Sequence, residues 1–402
     1  MEHPLLQSYG PLEGWHILLA IGVISIGFFT YQVQKATRLV MLGSPDSRFD
    51  SWSVRISEFI SGWLFQKKVL RDKIAGIMHV LMFWGFLMLS TDMFDLATAN
   101  AFSEKVLPEI LVGPWNGMVE LGYFMALIGC VSALTRRVVF TPEKLKGKSQ
   151  LEGNAILLLI FTITTTSFMV ESAESPSAFW EPIGYWFSER GLSEQTVILS
   201  YWAHMLAISV FLFLIPLSKH MHLVMAVPNV FFHDAGPMAR MRPLALGDDG
   251  KAVPLEDLDI DSFGVSTYNQ YSWRQLIDGW SCTSCARCQD VCPAYASGKG
   301  LNPMQVIHDV RNYANEHAPI LLSGNQPDET ILERITEEAV WACTTCNACV
   351  DVCPLYIEHV PKLTDLRRNA MMETMEYPEV LNTAMGNIES ASNPYGFGAH
   401  ER

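Results

Sequence analysis

Ser281 to Pro293 reads SCTSCARCQDVCP, and Ala342 to Pro354 reads ACTTCNACVDVCP. Each run is C-x2-C-x2-C-x3-C-P, and together they take eight of the nine cysteines. In this pattern three thiolates on one tight turn grip three irons of a cubane cluster, and the proline keeps the fourth cysteine out of that turn. In two-cluster ferredoxins the fourth cysteine serves the other cluster. The spacing therefore assigns Cys282, Cys285, Cys288 and Cys353 to one [4Fe-4S] cluster, and Cys343, Cys346, Cys349 and Cys292 to a second. Paired C-x2-C units also suit zinc, but zinc takes four ligands per ion and rarely uses this run twice. Clustering of this kind is unlike a secreted disulfide framework and fits a reducing compartment. Between the runs, Pro303–Tyr313 and Glu329–Ala342 carry helical spacing, as in Ile331, Ile335 and Val340. An all-helical ferredoxin domain is expected.

The residues before the cysteines have another character. The chain of 402 residues is 49% hydrophobic and 17% charged, with a mean hydropathy of +0.17, too apolar for an ordinary soluble protein. Apolar runs at Trp15–Tyr31, Ile74–Thr91, Gly117–Thr135, Asn154–Val170 and Val197–Leu217 each approach the ~20 residues that cross a bilayer. The first lacks a basic lead and a small-residue cleavage site, so it reads as a span and not as a cleaved signal. Cys130, the ninth cysteine, fills the third run.

Loop charge sets the expected orientation. Lys35, Arg38, Arg48, Arg55, Lys67, Lys68, Arg71 and Lys73 follow the first run. Arg136, Arg137, Lys144, Lys146 and Lys148 follow the third, and Lys219, Arg240 and Arg242 the fifth. The intervening loops are mostly acidic, with Glu104, Glu109, Glu171, Glu174, Glu181 and Glu189. The positive-inside rule then puts the amino terminus outside and the cysteine domain in the cytoplasm, on a multi-pass protein of the inner (cytoplasmic) membrane. Pro and Gly with Asp248, Asp249, Glu256 and Asp257 mark a linker, so the expected domains are 1–244, 245–392 and a tail, 393–402.

Cluster relays on the cytoplasmic face imply a redox group in the membrane, and histidine is the usual haem ligand there. On one continuous helix, His204 and His222 are 18 residues apart and share a face, about 27 Å apart along the axis, while His220 points away. His79 lies at the depth of His222, and that pair is the expected site of a haem b. His16 pairs with His204 as the expected second site, though Trp15 beside it suits an interfacial belt instead. His220 is the reserve, because Pro216 can shift the helix phase.

Five helices with histidines 18 apart on the fifth resemble the gamma subunit of respiratory nitrate reductase. That pattern carries two histidines ten residues apart on the second helix; here His79 matches one, and the other position is Leu89. The stretch KKVLRDKIAGIMHVLMFWGF (Lys67–Phe86) followed by the double cysteine run is similar to the membrane-bound heterodisulfide-reductase-like oxidoreductases, including electron-transfer flavoprotein:menaquinone oxidoreductase. The resemblance covers essentially the whole chain. It implies an all-α fold: a five-helix transmembrane cytochrome b domain and a two-cluster ferredoxin domain. It further implies electron exchange with a menaquinone-type quinone and with a cytoplasmic electron-transfer flavoprotein or heterodisulfide-reductase-like subunit. Relatives also carry a domain with C-C-G repeats. This sequence has no Cys-Cys dipeptide, which implies that the module lies on another subunit or a longer precursor.

The resemblance favours quinone reduction; the reverse, quinol oxidation feeding a cytoplasmic heterodisulfide- or sulfite-type reductase, is the second reading. Residues 241–402 hold 11 basic side chains against 23 acidic ones, a net of −12, which disfavours nucleic acid and favours a partner with a basic docking face. No phosphate loop, dinucleotide fingerprint or Ser/His/Asp order offers another chemistry. A transporter would place charges mid-membrane and break its helices there. No residue is singled out for the quinone.

Overall fold

Apolar composition without turn residues makes long helices, and four of the five expected spans form with ends beyond the apolar runs. In this computed structural model, which describes residues 4–102, 108–140, 148–237, 240–257 and 263–401, they are α1 (Gly14–Val40), α2 (Lys73–Phe102), α3 (Glu109–Val138) and α4 (Lys148–Glu171). The fifth, α5, covers Glu194–Leu217. All five contain a stretch long and apolar enough to cross a membrane. Lys144 and Lys146, read as inside-facing charges, lie outside the described residues. A short hairpin, Ser8–Tyr9 with Leu12–Glu13, comes just before α1.

The chain divides into two compact units. The first is Met1–Gln34 with Phe65–Met221, and the second is Lys35–Leu64 with His222–Arg402. The units part elsewhere than at the linker near Ala245: the segment after α1 belongs with the cysteine runs. In the first unit α2 packs on α3, α3 on α4, and α4 on α5. The α2–α3 approach needs glycine, because a Cβ on Gly85 would lie 2.7 Å from the Gly122 carbonyl oxygen and 2.9 Å from the Ala126 nitrogen. Small residues at such spacing are how membrane helices gain contact where lipid competes for apolar surface. Cys130 is fully buried there, its thiol donating to the Leu157 carbonyl at 2.9 Å.

The last span corrects one expectation. Pro216 removes a backbone donor, and Ser218 leaves the helix with φ −124° and ψ 178°. A 3-10 turn, Lys219–Met221, then precedes a separate helix, α6 (His222–Phe231). His204 and His222 are thus on different helices, and the shared-face argument from an 18-residue phase does not carry.

The second unit is built on α6, α7 (Trp273–Ser281), α8 (Pro303–Glu316) and α9 (His359–Asn369), with α10 (Val380–Ala391) near the end. The helix expected over 329–342 is broken in two, Ile331–Ile335 and Glu337–Ala342. Thr336 between them has φ +73°, and its hydroxyl caps the second piece at the Ala339 nitrogen. Residues 35–64 are stitched into this unit. The Ser44 nitrogen donates to the Tyr271 carbonyl at 2.9 Å and the Trp273 nitrogen donates back to Ser44 at 3.1 Å. Leu39 and Val40 join the core, and the Tyr268 hydroxyl donates to the Leu39 carbonyl at 3.2 Å.

Candidate functional site

The two cysteine runs fold alike, residue by residue. Each begins where a helix stops: Cys282 ends α7 with φ −65°, and Cys343 ends Glu337–Ala342 with φ −70°. The residues flanking the middle cysteine are left-handed in both loops. These are Ser284 and Ala286 (φ 55° and 61°), and Thr345 and Asn347 (φ 54° and 59°). Each non-glycine residue held there costs about 1–2 kcal/mol, least for Asn347. Strain repeated at matched positions marks a loop shaped for a ligand. Cys292 and Cys353 are extended (ψ 118° and 119°), as residues before proline must be.

Two cavities result. One is lined by Cys282, Cys285, Cys288 and Cys353, with Met304 and Ile357. The other is lined by Cys292, Cys343, Cys346 and Cys349, with Leu301 and Leu363. The fourth cysteine of each run therefore sits with the other run's three. Among the described residues no three His, Cys, Asp or Glu side chains gather as they would around a single metal ion. Four sulfurs around a wider space suit a polynuclear cage.

The electrostatics fit such a cage. Burial pushes the Cys282 thiol up to about 11 and Cys353 to about 12, where Cys285 adds repulsion. Burial and the neighbouring cysteines likewise raise Cys349 to about 12 and raise Cys288 well above its ordinary value. Four crowded thiolates need the positive charge of bound iron to stay ionised. Backbone donors are already aimed at them: the Thr345 nitrogen lies 3.4 Å from Cys343 Sγ, and Ser284 plays the same part for Cys282. Apolar side chains pack against part of each site, with Ile307, Ile357 and Leu355 around Cys282 and Cys353, and Val350, Val352 and Val360 around Cys288 and Cys349, while Cys346 is exposed.

Three residues at this site are not marked by the sequence pattern. His359, only 2% exposed, lines both cavities; its Nδ1–H donates to the Ile357 carbonyl at 3.1 Å, and burial, with Lys362, pushes it down to about 4. His308 on α8 approaches Cys282, and burial with Arg311 pushes it down to about 4 as well. Arg367 donates to the Val340 and Cys343 carbonyls at the end of Glu337–Ala342, where the helix dipole favours a cation. A signal exists for His308. It stands one helical turn after Met304 on an amphipathic helix, whereas the membrane argument draws attention only to histidines in the spans.

The five expected haem histidines are placed differently from one another. His79 donates Nδ1–H to the Gln66 amide oxygen at 2.7 Å. His204 donates Nδ1–H to the Ile163 carbonyl at 3.1 Å, with the Thr166 and Ser167 hydroxyls at 3.1 and 3.3 Å. An Nδ1–H held by oxygen is the tautomer that presents Nε2 to a metal. His16 is the reverse: its Nδ1 accepts from the Glu13 nitrogen at 3.2 Å while its ring stacks on Trp15, 3.6 Å between centroids. His220 Nδ1 meets the Ser218 hydroxyl at 3.0 Å, in the 3-10 turn. His222 opens α6.

Comparison with known proteins meets this geometry. Residues 274–354 match a family described as a 4Fe-4S dicluster domain. The EtfAB:quinone oxidoreductase of Syntrophomonas wolfei is 28% identical, over 98% of this chain and 62% of that protein. The probable iron-sulfur-binding oxidoreductase FadF of Bacillus subtilis is 28% identical, over 96% of this chain and 60% of that protein. One subunit of the ferredoxin:CoB-CoM heterodisulfide reductase of Methanosarcina mazei is 32% identical over 26% of this chain and 53% of that protein. The chain thus spans about three fifths of the length of the first two relatives. No solved structure matches it. The resemblance expected from the sequence holds, with five long apolar helices, a domain for two 4Fe-4S clusters and a distant likeness to heterodisulfide reductase.

Proposed function

We propose that this EtfAB:quinone oxidoreductase-like membrane iron–sulfur protein passes electrons between an electron-transfer-flavoprotein-type partner and a menaquinone-type quinone. The observation that carries the reading is the pair of four-cysteine cavities that share His359 as a wall, on a chain with five helices able to span a membrane. Clusters bound there supply one-electron transfer without bond formation to a substrate. Cys282, Cys285, Cys288 and Cys353 hold one, and Cys343, Cys346, Cys349 and Cys292 the other. The chain's part is to back the sites with apolar Ile307, Ile357 and Val360 and to aim backbone N–H groups at the thiolates.

Alternation of basic and acidic loops supports a cytoplasmic cluster domain. The net −12 of residues 241–402 supports a partner with a basic docking face, met faster at low ionic strength. A haem b extends the reading into the membrane. His79 with His222 are its proposed ligands, His204 with His16 those of a second, and His220 the reserve; the Nδ1–H bonds of His79 and His204 favour these two.

The test uses the full chain in detergent. Addition of reduced EtfAB-type flavoprotein is expected to bring up two cubane EPR signals and reduced haem b bands, and a menaquinone analogue to bleach them. Clusters that stay oxidised with the flavoprotein remove the partner. In Cys292→Ser the signal lost should be that of the cluster on Cys343, Cys346 and Cys349; loss of the sequence-adjacent cluster instead would overturn the ligand assignment.

A further inference from the structure

The backbones of the two cysteine loops match, but their side-chain surroundings do not. Asn302 caps α8 by accepting from the Met304 and Gln305 nitrogens, which fixes the helix start. Met304, Ile307, His308 and Arg311 then share one face. Met304 and Ile307 pack beside Cys282 and Cys353. His308 follows them, its Nε2 lying 3.6 Å from Cys282 Sγ and 3.1 Å from the Ser284 hydroxyl. At the matching position of the other loop, Cys343 Sγ receives the Thr345 backbone N–H. Among the described residues no side-chain N–H joins it there, and Arg367 goes to the Cys343 carbonyl instead.

We infer that His308 is a positioning residue that raises the reduction potential of one cluster alone, through an Nε2–H bond to the Cys282 thiolate. This rests on the two-cluster reading above. An iron-bound thiolate has no proton to give, so the imidazole must be the donor. The Ser284 hydroxyl, able to accept or donate, shares Nε2 with Sγ, and only the Nε2–H tautomer can bond an iron-bound thiolate. On reduction the cluster gains one electron from its donor. His308 keeps its proton, no bond to sulfur breaks, and the N–H···S bond strengthens as negative charge grows on sulfur. The reduced form is stabilised more than the oxidised one, and the potential rises.

EPR-monitored redox titration of the full chain, with dithionite and mediators, tests this. Iron and acid-labile sulfide in the unsubstituted protein check the two-cluster reading separately, and Cys292→Ser assigns the signals. His308→Leu is expected to lower the reduction constant of the Cys282 cluster about tenfold, ~59 mV for one electron, and to leave the other cluster's midpoint in place. His308→Gln, which keeps an N–H, should recover most of the loss. Ser284→Ala removes the competing acceptor and should move the same midpoint upward. An unchanged midpoint in His308→Leu, or an equal shift of both clusters, overturns the inference. If His308→Leu fails to take up that cluster, Ser284→Ala decides: a rise supports the bond, and no rise overturns it.

Discussion

The two units satisfy their buried polar groups by opposite means. In the apolar helices hydroxyls mostly bond back to their own backbone: Ser25 to Ile21, Thr164 to Ile160, Ser167 to Ile163 and Ser209 to Met205, all at 2.7–2.9 Å. An exception is Glu120, which accepts from the Ile183 and Gly184 nitrogens at 2.6 and 2.8 Å. In the cluster unit buried charges pair across great distances in sequence. Arg48 meets Glu358 at 3.2 Å and Lys362 meets Asp278, 84 residues before it, while Gln275 adds a hydrogen bond to Asp365 at 2.7 Å. Where water and partners are scarce, a helix supplies its own acceptors. Where two metal cages interrupt the core, the chain closes around them with distant ion pairs, each costly to leave half-made.

The largest break in this comparison is to take the distant partners away. Residues 35–64 supply Arg48 and Asp46, and Asp46 accepts from the Ser272 hydroxyl at 3.1 Å and from Arg242 at 3.3 Å. Arg55 donates to the His233 carbonyl at 2.6 Å, and Glu58 meets His233 at 2.5 Å. We expect residues 222–402 produced without 35–64 to bind little iron and to be digested rapidly by protease. The same piece with 35–64 joined through a flexible linker should hold iron. A stable, iron-loaded 245–392 would show instead that the segment is only an attachment.

Asp278 is the next test. It is fully buried between Arg274, whose Nη1 is 2.8 Å away, and Lys362. Burial alone would raise its carboxyl, but the two cations outweigh that and lower it. Asp278→Ala leaves both cations without this carboxylate, a loss of about 3–5 kcal/mol. Hydrogen exchange should show it first in α7 and α9, with exchange in α2–α5 unaltered. Equal loosening of the apolar helices would mean that the two units do not differ in the way described.

These pairs also explain how much can be read from the residues alone. The spans are local: hydropathy and length mark them, and their ends are hidden only where helices run on past the apolar run, as α2 does to Phe102. The cysteine loops are local too, because thiol spacing and the following prolines dictate Ser284, Thr345 and their neighbours. The parts that His308 and His359 play at the site cannot be read there, for the opposite reason. Each gains meaning only from a cysteine or a wall that lies far away in sequence, His308 beside Cys282 and His359 between both cavities. Residues 35–64 resemble a basic loop because charge counting sees Arg48 and Arg55 but not the Glu358 and His233 they reach. The helix phase of His204 and His222 fails at a local feature, Pro216, after which Ser218 turns extended and a new helix begins.

The smallest effect sharpens the other side of the comparison. Thr164 is 1% exposed, and its hydroxyl donates to the Ile160 carbonyl at 2.9 Å and to Phe161 at 3.1 Å. Thr164→Val replaces the hydroxyl by a methyl of similar volume and strands no partner, because the Ile160 and Phe161 carbonyls can keep their helical backbone bonds. The β-branch is kept, so the rotamer cost is kept as well. The expected change is ~0.6 kcal/mol or less, the scale of side-chain hydrogen bonds inside membrane proteins. Unfolding of the purified chain in mixed micelles, followed by helical signal, can measure it. A loss comparable with that of Asp278→Ala would mean that Thr164 serves something beyond its own helix, and the division between self-satisfied spans and a distantly paired cluster unit would fall.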